Sequence, residues 1–134
     1  MLKLYIGNKN YSSWSMRPWV LMQQAGIAFE EVKLRFDSFS ADSNFKQRLG
    51  KISPAGRVPV LLDGELVVWD TLAIAEYLAE TFPDKQLWPQ DARARARARS
   101  VCAEMHSGFT ALRGACGMNV EARLPEVGAL IWRD

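Results

Sequence analysis

Apolar and polar side chains alternate at the start of the chain, in residues 2–7 (LKLYIG), as they do in a half-buried strand. The next apolar positions predict a helix that Ser15 caps, with Pro18 in its first turn and an end near Gly26. A second strand over residues 28–34 follows directly. This opening therefore predicts a β-α-β unit.

The middle of the chain predicts a hairpin and then a helix. Residues 58–62 and 66–69 are apolar enough for two strands, and Asp63-Gly64 between them is a strong signal for a two-residue turn. The apolar positions that follow recur at spacings of three and four, as on one face of a helix, which should end just before Pro83.

The rest of the chain divides into a polar segment, a linker and a helical part. Residues 36–57 are polar and less regular, with a short helix predicted over 43–49. Residues 83–90 (PDKQLWPQ) hold two prolines and show no periodicity. We therefore expect one domain over 1–82, a linker, and a partial all-helical domain over 91–134.

A long apolar stripe marks the helical part. Its members share helical spacing on one predicted helix, 91–117, and are Ala94, Ala98, Val101, Met105, Phe109 and Leu112. The arginines of the DARARARARS run fall on other faces, where a solvated flank is the preferred interpretation over phosphate binding. A helix with an apolar face needs a partner that covers it. We therefore expect the chain to be a fragment of a longer protein, with cover by a second chain as the alternative.

Composition excludes several classes of function. The chain has 134 residues, of which 49% are hydrophobic and 24% charged, which favours a globular protein over a disordered one. A net charge of +2 does not indicate a nucleic acid or a membrane partner, and no segment approaches the roughly 18 apolar residues of a membrane span. Cys102 and Cys116 are expected to stay reduced, which favours a cytoplasmic protein. No residue set has metal-ligand spacing.

Three motifs carry candidate chemistry. Val58-Pro59 stands at a strand start, where a cis peptide bond would let the Val58 backbone pair with an extended peptide. Asp70-Thr71 opens a helix, whose free N–H groups suit a carboxylate while the Asp70 side chain suits an ammonium group. The polar loop over residues 11–18 (YSSWSMRP) adds serine hydroxyls. Together these motifs predict a site for a small peptide-like thiol.

This combination resembles the glutathione S-transferase family, most closely its serine-type zeta, tau and theta classes. The resemblance covers residues 1 to about 82 well, and 91–117 look like the first long helix of the family's second half. It implies an α/β fold: a thioredoxin-like N-terminal domain in the order β-α-β-α-β-β-α, followed by the start of an all-α domain. Family members are considerably longer than this chain.

The resemblance also implies roles for single residues. Ser12 matches the serine that activates the glutathione thiol. Val58 matches the residue whose backbone pairs with the cysteinyl part of glutathione, and Pro59 matches the cis-proline. Asp70 and Thr71 look like the acidic-hydroxyl pair that holds the γ-glutamyl end. Glutathione would be the co-substrate.

Alternatives remain for several side chains. Ser13 competes with Ser12 for the thiol, and both serines also suit simple capping and turn roles. Arg57 and Lys51 are candidates for the glycine carboxylate of glutathione, with solvated surface charge as the alternative. His106, on the helix of the second part, is expected to be a surface or core residue rather than a catalytic one.

The predicted function is transfer of glutathione thiolate to a small electrophilic, mostly apolar acceptor, by a homodimer. A zeta-like isomerase is the first alternative, although Trp14 stands where the zeta Ser-Ser-Cys pattern has its cysteine. A glutathione-binding or interaction domain without turnover is the second alternative.

Overall fold

The computed structural model describes residues 1–35, 40 and 43–125. Its first seven elements are β1 (Leu2–Ile6), α1 (Ser13–Gln24), β2 (Glu30–Lys33), α2 (Asn44–Gly50), β3 (Val60–Asp63), β4 (Leu66–Trp69) and α3 (Thr71–Thr81). This is the predicted order β-α-β-α-β-β-α, and it is the thioredoxin-like arrangement that the resemblance implied. The short helix α2, predicted from a weak signal, is confirmed.

The four strands form one mixed sheet in the order β2-β1-β3-β4. β1 pairs with β2 in parallel and with β3 antiparallel, and β3 and β4 form the hairpin. Asp63 pairs with Leu66, so the loop is Gly64-Glu65, one residue later than the predicted Asp63-Gly64 turn. The reason is local, because Gly64 has a φ of +58°, and a tight hairpin favours glycine at such a position.

Both faces of the sheet are covered by helices. Inward-facing side chains of β1 pack with those of α1 and α3 on one face, namely Leu2, Leu4, Ile6, Met22, Ile74 and Leu78. On the other face a smaller cluster joins α2 to β3, namely Leu34, Phe45, Leu49 and Val60. The alternating burial along β1 matches the predicted half-buried strand, so the apolar periodicity in the sequence places the core correctly.

Helix α1 begins three residues earlier than predicted. Ser12 is its N-cap, and Ser15 is a buried residue of its first turn. The Ser15 hydroxyl oxygen accepts hydrogen bonds from the Gly7 N–H at 3.0 Å and from the Ser12 hydroxyl at 2.9 Å. Ser15 therefore joins the end of β1 to α1 instead of capping the helix, and Pro18 lies inside the helix rather than in its first turn.

The single long helix predicted over 91–117 is wrong. After a 3-10 turn at Pro83–Lys85, the chain forms α4 (Ala92–Ser107) and a short α5 (Thr110–Ala115). Gly108 ends α4: a side chain there would meet the Glu104 carbonyl oxygen at 2.8 Å, so glycine fits this close approach. Phe109, the N-cap of α5, follows in the left-handed region with a φ of +56°, so the helix does not continue through it. The predicted stripe is thereby divided between two helices.

Polar contacts, some of side chains and some of the backbone, attach the helical part to the sheet domain. Arg99 of α4 donates two hydrogen bonds of 2.9 Å to the Glu76 carboxylate of α3. The buried Asn10, in the loop before α1, accepts hydrogen bonds from the N–H groups of Val120 and Glu121 at 3.3 and 2.8 Å.

The predicted boundaries at 82 and 91 stay a prediction, and residues 126–134 of the predicted helical domain lie outside the described residues. No helix in the described ranges is both long and apolar enough to cross a membrane.

Candidate active site

A cavity of about 710 Å³ lies between the segment before β3, the start of α3, and side chains of α1, α4 and α5. Five of the residues that line it were singled out in the sequence: Arg57, Val58, Pro59, Asp70 and Thr71. Two motifs on different elements therefore meet at one site. Five further residues complete the lining: Trp14, Ala55, Trp69, His106 and Arg113.

Val58 and Pro59 form the wall beside the first residue of β3. Their peptide bond is cis, Pro59 is buried and Val58 is half-buried. Because β3 begins at Val60, Val58 lies outside the strand ladder, and within the described residues neither its N–H nor its C=O has a hydrogen-bond partner. These two groups can pair with the backbone of an extended ligand, as in strand addition.

Asp70 and Thr71 form the start of α3 and another part of the lining. One Asp70 carboxylate oxygen accepts a hydrogen bond from the Leu72 N–H at 2.9 Å, so the predicted capping role is confirmed. Thr71, the first helical residue, is buried. A helix N-terminus attracts a carboxylate and Asp70 attracts an ammonium group, so the pair suits the end of an α-amino acid.

The candidate thiol-activating serines lie at the start of α1 and are not part of this lining. The Ser12 hydroxyl accepts no capping bond from the backbone of α1 and donates to the Ser15 hydroxyl. Ser12 lines a separate small cavity of about 60 Å³. Ser13 is the first residue of α1 and is half-buried. Trp14, the residue after them, does line the large cavity. The structure thus brings the serine loop to the site through its tryptophan.

An aromatic and cationic cluster at the cavity was missed in the sequence. The guanidinium carbons of Arg17 and Arg113 lie 4.0 and 4.3 Å from the centre of the Trp14 ring. The His106 ring meets Trp14 edge-on, with 5.1 Å between ring centres. Burial, with the Arg113 guanidinium nearby, holds the pKa of Arg17 below its ordinary value. Arg17 nevertheless stays charged at neutral pH.

His106 also contacts the predicted acidic-hydroxyl pair. Its Nε2 atom lies 3.2 Å from an Asp70 carboxylate oxygen, and its Nδ1 atom lies 3.4 Å from the Thr71 hydroxyl oxygen. These contacts of His106 were not predicted from the sequence. The available signal was weak: His106 is the only histidine of the chain, and 35 residues separate it from Thr71.

Arg57 and Lys51, the candidates for the glycine carboxylate of glutathione, differ in their position relative to the cavity. Arg57 is exposed at the edge of the cavity, whereas Lys51 is exposed and is not part of the lining. Within the described ranges, no three His, Cys, Asp or Glu side chains are grouped so that they could hold a metal ion. The site can therefore bind and orient a ligand with an α-amino acid end and an extended backbone, beside a tryptophan and several cations.

Comparison with known proteins identifies the family. The family model for the N-terminal domain of glutathione S-transferase matches residues 11–81, which is more than half of the chain. The chain therefore belongs to the glutathione S-transferase family, as its motifs predicted.

Individual relatives agree with this assignment. The chain is 31% identical over 132 residues to glutathione S-transferase 1 of Dianthus caryophyllus, covering 98% of this chain and 58% of that protein. It is 32% identical over 109 residues to a probable maleylacetoacetate isomerase of Caenorhabditis elegans, covering 81% and 48%.

A solved structure gives the same picture. A glutathione transferase homologue from Burkholderia gl BGR1, solved with bound glutathione, superposes with a TM-score of 0.69 at 29% identity, covering 83% of this chain and 56% of that one. The chain thus spans about half the length of the relatives it matches.

Proposed function

We propose that the large cavity binds glutathione and that the protein transfers the glutathione thiolate to a small electrophilic, mostly apolar acceptor. The observation that carries the proposal is the meeting of Val58 and Pro59 with Asp70 and Thr71 at one cavity. The glutathione bound in the related Burkholderia structure supports the choice of ligand.

Each part of glutathione has a chemically matched partner. The γ-glutamyl ammonium group pairs with Asp70, and the γ-glutamyl carboxylate accepts from the Thr71 backbone N–H at the N-terminus of α3. The cysteinyl backbone pairs with the free N–H and C=O of Val58. Arg57 pairs with the glycine carboxylate, and it is preferred to Lys51 because it lines the cavity.

Thiol activation falls to Ser12. A free thiol has a pKa near 8.5, and lowering it by about two units needs roughly 2.7 kcal/mol. A hydroxyl bond to the anion supplies about 1.5–3 kcal/mol, and the N-terminus of α1 adds up to about 1 kcal/mol. The sum is adequate without a general base. Ser12 must exchange its hydrogen bond to Ser15 for one to the thiolate, and Ser15 keeps its bond to Gly7 meanwhile.

Ultraviolet difference absorbance of the thiolate tests the proposal as glutathione is titrated into the chain near neutral pH. A saturable signal is expected. In Ser12→Ala the signal should fall by about tenfold or more, while S-methylglutathione, which has no free thiol, still binds. Ser13→Ala is the matched control and should keep the signal.

Three outcomes would contradict parts of the proposal. Loss of the signal in Ser13→Ala alone would transfer the role to Ser13. A normal signal in both single variants would remove the serines from the mechanism. No binding of glutathione to the folded chain would overturn the function itself.

The second candidate function is a zeta-like isomerisation, which the similarity to the probable maleylacetoacetate isomerase favours. In this reaction the thiolate adds to a cis double bond, the new single bond rotates, and elimination returns the thiolate and the trans alkene. An electron-poor cis alkene separates the two reactions, because isomerisation regenerates glutathione whereas conjugation consumes it. A non-catalytic domain would bind glutathione and do neither.

A homodimeric, cytoplasmic protein completes the proposal. The homodimer is what the resemblance to the family implies. The cytoplasmic location follows from the two cysteines, which are expected to be reduced. Sedimentation at micromolar concentration tests the first property, and a monomer alone would contradict it.

A further inference from the structure

His106 brings the helical part of the chain into direct contact with the start of α3. It lies on α4, while Asp70 and Thr71 belong to the sheet domain, and all three line the same cavity. Its two ring nitrogens face two different groups: Nε2 lies 3.2 Å from the Asp70 carboxylate and Nδ1 lies 3.4 Å from the Thr71 hydroxyl. The ring is therefore held at both nitrogens, and its side chain is only 29% exposed.

We propose that His106 positions Asp70 and Thr71 for the α-amino acid end of the ligand, and that protonation of His106 weakens this binding. The inference rests on the proposed function, because it takes the γ-glutamyl end of glutathione as the group that Asp70 and Thr71 receive. It adds a residue of α4 to the site and gives the affinity a dependence on pH.

The two protonation states of His106 make different hydrogen bonds with Asp70 and Thr71. In the neutral ring with a proton on Nε2, that N–H donates to Asp70 and Nδ1 accepts from the Thr71 hydroxyl, so both contacts fit. Asp70 then keeps its full negative charge for a ligand ammonium group. In the imidazolium both nitrogens are donors, so the Thr71 hydroxyl must turn its proton away, and the imidazolium neutralises Asp70. The imidazolium therefore competes with the ligand ammonium group for one carboxylate.

Other charged and titratable groups surround this ring. Arg113 of α5 donates to the His106 backbone carbonyl at 3.4 Å, and Arg17 of α1 lies over the same Trp14 ring that His106 meets. Cys102 lies one turn earlier on α4. Arginine stays protonated throughout the range in which a histidine ordinarily titrates, and a carboxylate stays ionised there. A cysteine thiol as a residue type ordinarily titrates above that range. His106, the only histidine of the chain, is therefore the one side chain here of a type that ordinarily changes charge between about pH 5 and 8.

The test measures the dissociation constant of S-methylglutathione by calorimetry between about pH 5.5 and 7.5. This ligand has no free thiol, so thiol ionisation does not contribute, and its ammonium group titrates near pH 8 or above. We expect affinity to fall as the pH is lowered, by up to about tenfold per pH unit below the titration of the imidazole. In His106→Gln, whose amide can donate to Asp70 and accept from Thr71, the dependence on pH should disappear while binding persists.

Two measurements make the result specific. His106 is the only histidine, so its ring proton resonances report its protonation directly. The midpoint of the affinity change should coincide with theirs. Arg97→Gln is the matched control: it removes an exposed charge of α4 that does not line the cavity, so it should keep the dependence on pH.

An equal pH dependence in His106→Gln, or none in the unmodified chain, would overturn the role of His106 and leave the proposed function standing. Absence of binding at every pH would overturn both.

Discussion

The two parts of this chain are held together by different means. The sheet domain has two clusters of buried apolar side chains around β1, β3 and the helices α1, α2 and α3. In α4 and α5, by contrast, no residue is buried. The helical part is attached to the sheet domain through an ion pair, backbone hydrogen bonds and a histidine. Burial thus stabilises the first part, whereas the second part completes the cavity.

This contrast implies that stability and ligand binding respond to different substitutions. Removing apolar atoms should matter chiefly in the sheet domain. Removing charged or polar groups at the junction should alter the site with little effect on stability. The following predictions test this separation.

The largest effect on stability is expected from Ile74→Ala in α3. Ile74 is fully buried in the larger core cluster, so its truncation should lower the free energy of unfolding by about 2–5 kcal/mol. Val101→Ala in α4 is the matched control, since Val101 is 55% exposed, and it should change that free energy by about 0.5 kcal/mol or less. Urea denaturation measures both. A comparable loss in both variants would contradict the contrast.

Asp70→Asn should act on binding instead. Asparagine can cap α3 and tolerates the φ of +77° at this position, so the fold should be retained. The loss of one charged hydrogen-bond partner should raise the dissociation constant of glutathione by about tenfold or more. Calorimetry measures the binding, and urea denaturation provides the control for stability. Unchanged affinity would remove Asp70 from the site.

The smallest effect is expected at the ion pair between the two parts. Hydrogen bonds from Arg99 hold the pKa of Glu76 below its ordinary value of 4.5. Because the folded-state pKa is depressed, the stabilisation is present above the ordinary pKa and is lost as the pH falls through the lower, folded-state value. The pair is well exposed, so Glu76→Gln should lower the free energy of unfolding by about 0.5 kcal/mol at neutral pH.

Thermal unfolding as a function of pH checks this effect. The difference between the unmodified chain and Glu76→Gln should shrink at acidic pH. Glu65→Gln, in the exposed hairpin loop, is the matched control. A difference that does not vary with pH would contradict the assigned ion pair.

Much of the fold could be predicted from the sequence because its core follows simple periodicity. The alternation in β1 and the helical spacing around Ile74 and Leu78 correspond to buried positions in the structure. Two errors have different causes. Ser15 suited a cap, but a contact across the end of β1, its bond to Gly7, outweighed that local signal. At Gly108 the signal was local and was overlooked, because this glycine ends α4 against the Glu104 carbonyl inside an otherwise continuous apolar stripe.

The residues of the candidate site also divide into those that a local sequence pattern predicted and those that only tertiary packing brings to the cavity. Val58, Pro59, Asp70 and Thr71 could be found because each pair is adjacent in the sequence and has a local backbone requirement. His106 and Arg113 come to the cavity through the packing of α4 and α5, which no local pattern specifies. Trp14 was visible beside the serines, but its contact with Arg113 depends on that same packing. The assignment of Ser12 stays a prediction.

The hydrogen bonds to Asn10 have a consequence for amide exchange with deuterated water. The side chains of Val120 and Glu121 are exposed, yet their N–H groups are bound to Asn10, more than a hundred residues earlier in the chain. Exchange at these two amides requires the loop before α1 to separate from them. Their deuterium uptake therefore records how often residues 120–121 and Asn10 separate, at positions where the local sequence gives no reason for protection.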